Sequence, residues 1–220
     1  MIYNEKSSSA SANGHKVQKR HYMAPGTPLS QRPMDLVYFL FFVSHIPFTL
    51  ILDLQAVYPT WLLPEDSSLR ALGAFYVSMT NDPIIGGVAG TFGEVTRRSM
   101  QWLLSFTYLE LFFQLPTFFY AAYHLYHNRK LHVLYPLMAI YGASTATTTL
   151  PCIVLVLTTP PTGVATVLGS TVSSGQRLTL LASYLPYLLI PLVMAIDSAY
   201  RMAGLVSRAL KEIKKEGKWD

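Results

Sequence analysis

Charged side chains are scarce in this chain. Of its 220 residues, 13% are Asp, Glu, Lys or Arg, whereas 51% are hydrophobic. A typical soluble domain carries about twice that charged fraction. The hydrophobic residues also occur in long blocks, so the sequence predicts an integral membrane protein of one domain.

Cysteine is nearly absent as well, since Cys152 is the only one. One cysteine cannot form an intramolecular disulfide, and no Cys/His pair has zinc-site spacing, so we expect neither a disulfide-stapled secreted domain nor a metal site. The sequence also lacks a phosphate-binding loop, an HExxH motif and a nucleophilic Ser-His-Asp arrangement. We therefore predict no catalytic residues of those kinds and no cofactor. No nucleic-acid-binding motif accompanies the basic ends of the chain.

Four apolar stretches are each long enough for the ~20 residues that cross a bilayer. They run over about residues 35–58, 102–126, 131–157 and 178–200. Each contains at least one proline, which favours a splayed bundle with a cavity over a straight, tight one. The predicted fold class is all-α, a four-transmembrane-helix bundle with a ligand cavity.

The basic residues predict the orientation of these spans. Thirteen Lys and Arg lie in the two tails and the turn at residues 129–130, against four on the opposite side. By the positive-inside rule, both termini are predicted to be cytosolic. We expect a disordered N-terminal tail at residues 1–33, a membrane domain at 34–200 and a basic C-terminal tail at 201–220. The last of these is either a basic amphipathic helix on the anionic leaflet or a solvated charged tail.

Ionisable residues at membrane depth are costly, so each is a functional-site hypothesis. At 100° per residue, one polar stripe on the first span carries Tyr38, His45, Thr49 and Asp53, and one on the second carries Glu110 and Gln114. Thr148 lies on a third stripe, and Tyr184 and Tyr187 face together on the fourth span. Asp53 and Glu110 lie roughly 8 and 12 Å from the luminal end, at about 1.5 Å per residue.

These polar groups are predicted to meet in one layer and to line a pocket. The hydroxyls alternatively act as interhelical hydrogen-bonding groups, and His45 as a satisfied core histidine. Asp197, near the cytosolic end, either snorkels or pairs with Arg201 at i+4. A buried carboxylate either becomes a protonated acid or stays ionised beside a cation, which suits a sterol-like or amine-bearing amphiphile.

Several segments resemble one family. They are SHIPFTLILDLQAVYP at residues 44–59, NDP at 81–83, LELFFQLPTFF at 109–119, TTTLP at 147–151 and QRLTLLASYLPYLLIPL at 176–192. In these motifs the chain is similar to the sigma-2 receptor, or transmembrane protein 97, group of the EXPERA superfamily of emopamil-binding-protein-like proteins. It most resembles fungal members of the efficient mitochondria-targeting-associated protein type.

The resemblance implies a multi-pass protein of the endoplasmic reticulum membrane that forms a homodimer. It implies that Asp53 pairs with the amine of a ligand and that Asp82 supports it from the luminal connection. It also implies that Glu110 and Gln114 line the cavity and that the two tyrosines border it.

Three functions follow from the resemblance and the polar stripes. The first is a non-enzymatic receptor that binds a sterol or a cationic amphiphile and acts in sterol homeostasis and lipid transport. The second is an adaptor, with other membrane proteins of the endoplasmic reticulum as partners, in the targeting or quality control of mitochondrial precursors. The third is an isomerase that shifts a sterol double bond from Δ8 to Δ7.

Overall fold

The structure, a computed structural model, describes residues 27–164, 166, 169–215 and 217. In these residues the regular structure is helical, apart from an isolated bridge between Pro161 and Val172. The helices are α1 (Pro33–Ile51), α2 (Ser68–Thr80), α3 (Ile85–Ala89), α4 (Glu94–Ser99), α5 (Gln101–Leu109), α6 (Leu115–His127), α7 (Leu131–Thr158) and α8 (Ser174–Lys215). The predicted all-α class is confirmed. The first 26 residues of the predicted N-terminal tail lie outside the described residues.

Three of the described segments are long and apolar enough to cross a membrane. They are Pro33–Ala56, which joins α1 to a 3₁₀ turn at Asp53–Ala56, then α7, and then α8. By length and composition they match the first, third and fourth predicted spans.

The second predicted span is interrupted. A π-helical turn at Glu110–Gln114 separates α5 from α6, although the three parts follow one another without a gap from Gln101 to His127. Each part alone is too short to cross a bilayer. The fourth membrane crossing therefore stays a prediction.

The core is built mainly by two helix pairs, α1 with α6 and α7 with α8. The largest buried cluster joins Phe42 of α1, Phe118 of α6, Tyr141 of α7 and Met194 of α8. The α7–α8 contact is very close at Gly142, where a Cβ would lie 2.4 Å from the Pro191 carbonyl oxygen. Only a residue without a side chain permits this approach of the two backbones.

An ion-pair network ties the helices together at the end of the bundle where α1 begins. Asp35 accepts from Arg32 at 2.7 Å and from Arg201 at 2.5 Å. Arg201 also pairs with Asp197 at 2.8 Å, which confirms the predicted i+4 pairing, and Tyr38 donates to the same carboxylate at 3.1 Å. Tyr38 therefore belongs to this network, although its place on the polar stripe of α1 predicted that it would face the same way as Asp53.

Candidate functional site

Three of the predicted site residues come together near the other end of α1. A ring nitrogen of His45 and one carboxylate oxygen each of Asp53 and Glu110 all lie within 4.8 Å of one another. Their sequence spacing did not indicate this cluster as a metal site, yet the atoms are close enough to surround a metal ion or the ammonium group of a ligand. We call these three residues the acidic cluster.

The position of Asp53 depends on how α1 ends. The α-helix stops at Ile51, and Asp53 opens the 3₁₀ turn that follows. The side chain of Gln55 donates to the carbonyl of Ile51 at 2.6 Å and to that of Leu69 at 2.9 Å. These bonds satisfy an open carbonyl at the end of α1 and fasten the turn to α2. Asp53 is thus held on a short, anchored turn.

The position of Glu110 depends on the π-helical turn, of which it is the first residue. Pro116 follows closely, and because proline has no N–H it interrupts α-helical hydrogen bonding in this stretch. Widened turns of this kind often occur at functional sites. The hydroxyl of Thr49 donates to Oε1 of Glu110 at 2.6 Å and so links α1 to the π-helical turn.

His45 lies between aromatic rings. Its ring stacks on Phe118 with centroids 4.6 Å apart and contacts Tyr187 at 4.5 Å. Its Nε2 lies 3.9 Å from Oε1 of Glu110, and within the described residues its buried Nδ1 has no hydrogen-bond partner. His45 therefore differs from a fully hydrogen-bonded core histidine in having a buried nitrogen without a partner among the described residues.

Asp82 has a different environment. It is fully buried and accepts hydrogen bonds from the hydroxyls of Tyr76 at 2.8 Å and Tyr184 at 2.9 Å, and from the backbone N–H groups of Ile84 and Ile85. Burial raises the pKa of Asp82 above its usual value, and these hydrogen bonds, which favour the carboxylate, oppose the rise. Both carboxylate oxygens of Asp82 are therefore already occupied by donors of the protein itself.

The carboxylate of Asp53 contrasts with that of Asp82. Within the described part of the chain, Asp53 accepts no hydrogen bond, although Glu110 and Asp82 lie within electrostatic range. No lysine or arginine among those residues forms an ion pair with any of the three carboxylates. The site thus gathers acidic groups and has no positive side chain paired with them.

The other predicted site residues are placed differently. Gln114, at the end of the π-helical turn, is buried. The hydroxyl of Thr148 lies within hydrogen-bond distance of two carbonyls of its own helix, those of Ser144 and Thr145, as expected of a residue that satisfies the backbone. Tyr187 contacts His45, whereas Tyr184 belongs to the Asp82 group.

Sequence reasoning missed two contributors. Thr49 was predicted to share the polar stripe of His45 and Asp53 but was not among the predicted site residues, although that stripe is the signal that could have included it. Tyr76 lies on α2, outside the apolar spans, and nothing in the sequence pairs it with Asp82.

A cavity of about 80 Å³ lies beside Asp82, lined by residues that include Pro83, Met100, Leu155 and Ser170. None of the eight predicted site residues lines it. Pockets for drug-sized ligands have volumes of about 300–1,000 Å³, so this space does not hold one. Asp53 and Glu110 are only partly buried.

The sequence profile of the EXPERA family, the expanded EBP superfamily, matches residues 68–198. The chain belongs to the EXPERA family. This EXPERA protein is 33% identical to the human protein named sigma intracellular receptor 2 over 172 residues, which are 78% of this chain and 90% of the human one. Over 175 residues, 80% of each chain, it is 30% identical to efficient mitochondria targeting-associated protein 19 of Schizosaccharomyces pombe.

The protein of the same name from Saccharomyces cerevisiae is 29% identical over 161 residues, or 70% of this chain and 91% of the yeast one. The resemblance to the sigma-2 receptor group and to the fungal proteins is therefore confirmed. Together with the apolar helices, it makes this EXPERA protein a membrane protein.

Proposed function

We propose that this protein binds sterol-like or amine-bearing amphiphiles inside the membrane and acts in sterol homeostasis and trafficking. The observation that carries the proposal is the carboxylate of Asp53, which lies beside Glu110 and His45 and has no hydrogen bond or ion pair among the described residues. An unpaired carboxylate at membrane depth is unfavourable, and a cationic ligand relieves that cost.

The surroundings of the acidic cluster favour an amphiphile over a small ion. The rings of Phe118 and Tyr187 lie against His45, so a ligand whose charged head reaches the carboxylates meets apolar and aromatic surface next to them. Aromatic rings also attract ammonium groups through their faces. A sterol hydroxyl, which carries no charge, would instead donate to Glu110 or Asp53.

The remaining topology belongs to the same proposal. The interrupted helix from α5 to α6 is the fourth membrane crossing, both termini are cytosolic, and the protein resides as a homodimer in the endoplasmic reticulum membrane. The excess of Lys and Arg in the tails supports this orientation. The human relative's name, an intracellular receptor, supports the ligand-binding role.

The test measures binding of a radiolabelled tertiary amine with an aromatic body to purified protein in nanodiscs. Asp53→Asn should weaken binding at least about 100-fold, because it removes the charge that pairs with the amine in a partly dehydrated site. Glu110→Gln should weaken it less. Asp66→Asn changes an exposed carboxylate in the luminal connection and should leave affinity unchanged.

Sterol binding in the same nanodiscs separates the two ligand classes. A radiolabelled sterol should lose less affinity than the amine in Asp53→Asn, since its hydroxyl gives up one hydrogen bond and no ion pair. If Asp53→Asn and Glu110→Gln both bind amine and sterol as the parent protein does, the proposal is wrong.

A second candidate is an adaptor in mitochondrial-precursor targeting, and the name of the fungal relatives favours it. Photo-crosslinking from the tails in intact membranes should then recover a precursor or another membrane protein. Recovery of lipid alone would exclude this candidate.

The isomerase candidate draws on the contact between His45 and Glu110, a pair able to move a proton. Incubation of purified protein with a Δ8-sterol, followed by mass spectrometry, tests it. Conversion no greater than in a boiled sample would exclude that reaction.

A further inference from the structure

We infer that the last part of α8 is a docking surface for anionic lipid, on the leaflet next to the chain termini. The segment concerned, residues 202–215, is here called the C-terminal arm. It begins directly after Arg201, whose ion pair with Asp35 of α1 holds α8 to the bundle. The last buried residue of α8 is Ser198, so the arm extends beyond the packed core.

The arm is one continuous helix with two distinct faces. At 100° per residue, its apolar side chains cover about 140° of the circumference, and its basic side chains lie within the remainder. The apolar face consists of Met202, Leu205, Val206, Ala209, Leu210 and Ile213, and the basic face carries Arg208, Lys211, Lys214 and Lys215. Val206 is 52% exposed and Leu210 is 61% exposed. The apolar face is thus exposed at these two residues.

Position and charge together identify what covers this face. The arm spans about 21 Å at 1.5 Å per residue and starts at the level where α1 enters the bundle, so its first turn lies close to the membrane surface. The four basic residues are exposed, and within the arm one acidic residue, Glu212, pairs with Lys215 at 3.1 Å. An apolar face beside a basic face is the pattern that partitions into an anionic lipid surface.

Docking requires α8 to bend where it leaves the bundle. Gly204 lies at this point, three residues after Arg201, and glycine is the ordinary residue least favourable to a helix interior apart from proline. A bend there would turn the arm from the direction of the span towards the plane of the leaflet. The ion pairs of Arg201 would keep the rest of α8 in place.

The test uses the full chain in nanodiscs that hold one copy, prepared from zwitterionic lipid alone or with phosphatidylserine. In a Cys152→Ala background, one thiol is introduced at Val206 or at Ser207 and carries an environment-sensitive fluorophore. These neighbouring positions lie at the same depth but about 100° apart, on the apolar face and outside it. Quenching by spin-labelled lipid chains reports contact with the bilayer.

In discs that contain phosphatidylserine, the fluorophore at position 206 should shift to shorter wavelength and be quenched by the lipid label. At position 207 both effects should be smaller. The effect at 206 should weaken in zwitterionic discs and in high salt. Lys211→Gln should lower the ratio of docked to free arm about fivefold, the contribution of one basic residue near an anionic surface.

Equal lipid quenching at positions 206 and 207, or none at either in the anionic discs, overturns the inference. A wavelength shift at 206 without lipid quenching also overturns it, because protein would then cover the face. If the shift occurs only in discs that contain two copies, a second copy of the chain covers the apolar face, and the inference is wrong. Amine binding at the acidic cluster is measured separately, so failure of one result leaves the other intact.

Discussion

Replacement of Gly142 by alanine should open the contact between α7 and α8. The added Cβ would lie 2.4 Å from the carbonyl oxygen of Pro191 and 2.9 Å from the nitrogen of Ala195. Both neighbours are backbone atoms and cannot rotate away, so the two helices have to separate by several tenths of an ångström or more. The contact is central to the fold, since α7 and α8 form one of its two helix pairs.

The expected loss of stability follows from this geometry. Overpacking of a close-packed core costs about 1–3 kcal/mol, and a clash with backbone atoms lies in the upper part of that range, at about 2–3 kcal/mol. Alanine returns about 1 kcal/mol through its higher helix propensity. The net loss should be about 1–2 kcal/mol. For a chain of this size each kcal/mol shifts the unfolding temperature by about 2–4 °C, which gives a fall of roughly 2–8 °C.

The single cysteine supplies the assay. Cys152 lies on α7, is 8% exposed and is the chain's one thiol, so a thiol-reactive fluorogenic maleimide reports unfolding of this helix pair during a temperature ramp. Gly175→Ala is the matched control, because a Cβ there would meet nothing within 4 Å. That variant should unfold at the parent temperature or slightly above it. If Gly142→Ala does the same, the close-packing argument is refuted.

Three further predictions concern polar groups. Asp35→Asn removes the carboxylate that pairs with both Arg32 and Arg201 and should lower the free energy of unfolding by about 3–5 kcal/mol in the same assay. The double variant Asp35→Asn/Arg201→Gln should recover part of this loss. An unchanged unfolding temperature in Asp35→Asn would contradict the prediction. Thr49→Val removes the hydrogen bond to Glu110 and should weaken amine binding about tenfold in the nanodisc assay, a result that equal affinity would exclude. Hydrogen bonds from two arginines lower the pKa of the exposed Glu94 from 4.5 to about 2, so its stabilising effect is present above pH 4.5 and lost as pH falls through about 2. The difference in unfolding temperature between the parent and Glu94→Gln should shrink over that range in low salt, and a constant difference would contradict the prediction.

The acidic cluster shows which side-chain positions helical periodicity can predict. A helix repeats every 3.6 residues, so the spacing of His45 and Asp53 predicted that both face the same way, and the structure places them together with Glu110. Periodicity could not predict the π-helical turn or the 3₁₀ turn, because both are departures from the α-helical repeat. Those two turns decide where the carboxylates point.

Tyr76 and Thr148 mark the limit of the same reasoning. The hydroxyl of Tyr76 reaches Asp82 from a helix outside the apolar spans, a contact between segments that no periodic pattern relates. Thr148 lies on a polar stripe, yet its hydroxyl bonds within its own helix. A threonine hydroxyl has this local alternative, whereas a carboxylate does not, and so stripes predict site residues more reliably for acids.

The sequence by itself determined that the chain lies in a membrane, that it is helical and which segments are apolar. Long runs of apolar residues with few charges are stable in lipid, and they are stable there as helices. It also made the i+4 pair of Asp197 with Arg201 one of two alternatives, since both residues belong to one helix, and the structure shows that pair. Only the tertiary structure decided that Asp82 is saturated with hydrogen bonds while Asp53 is left without one. That difference arises from donors brought in by distant segments, and it is the reason that we propose Asp53 as the residue that pairs with a ligand.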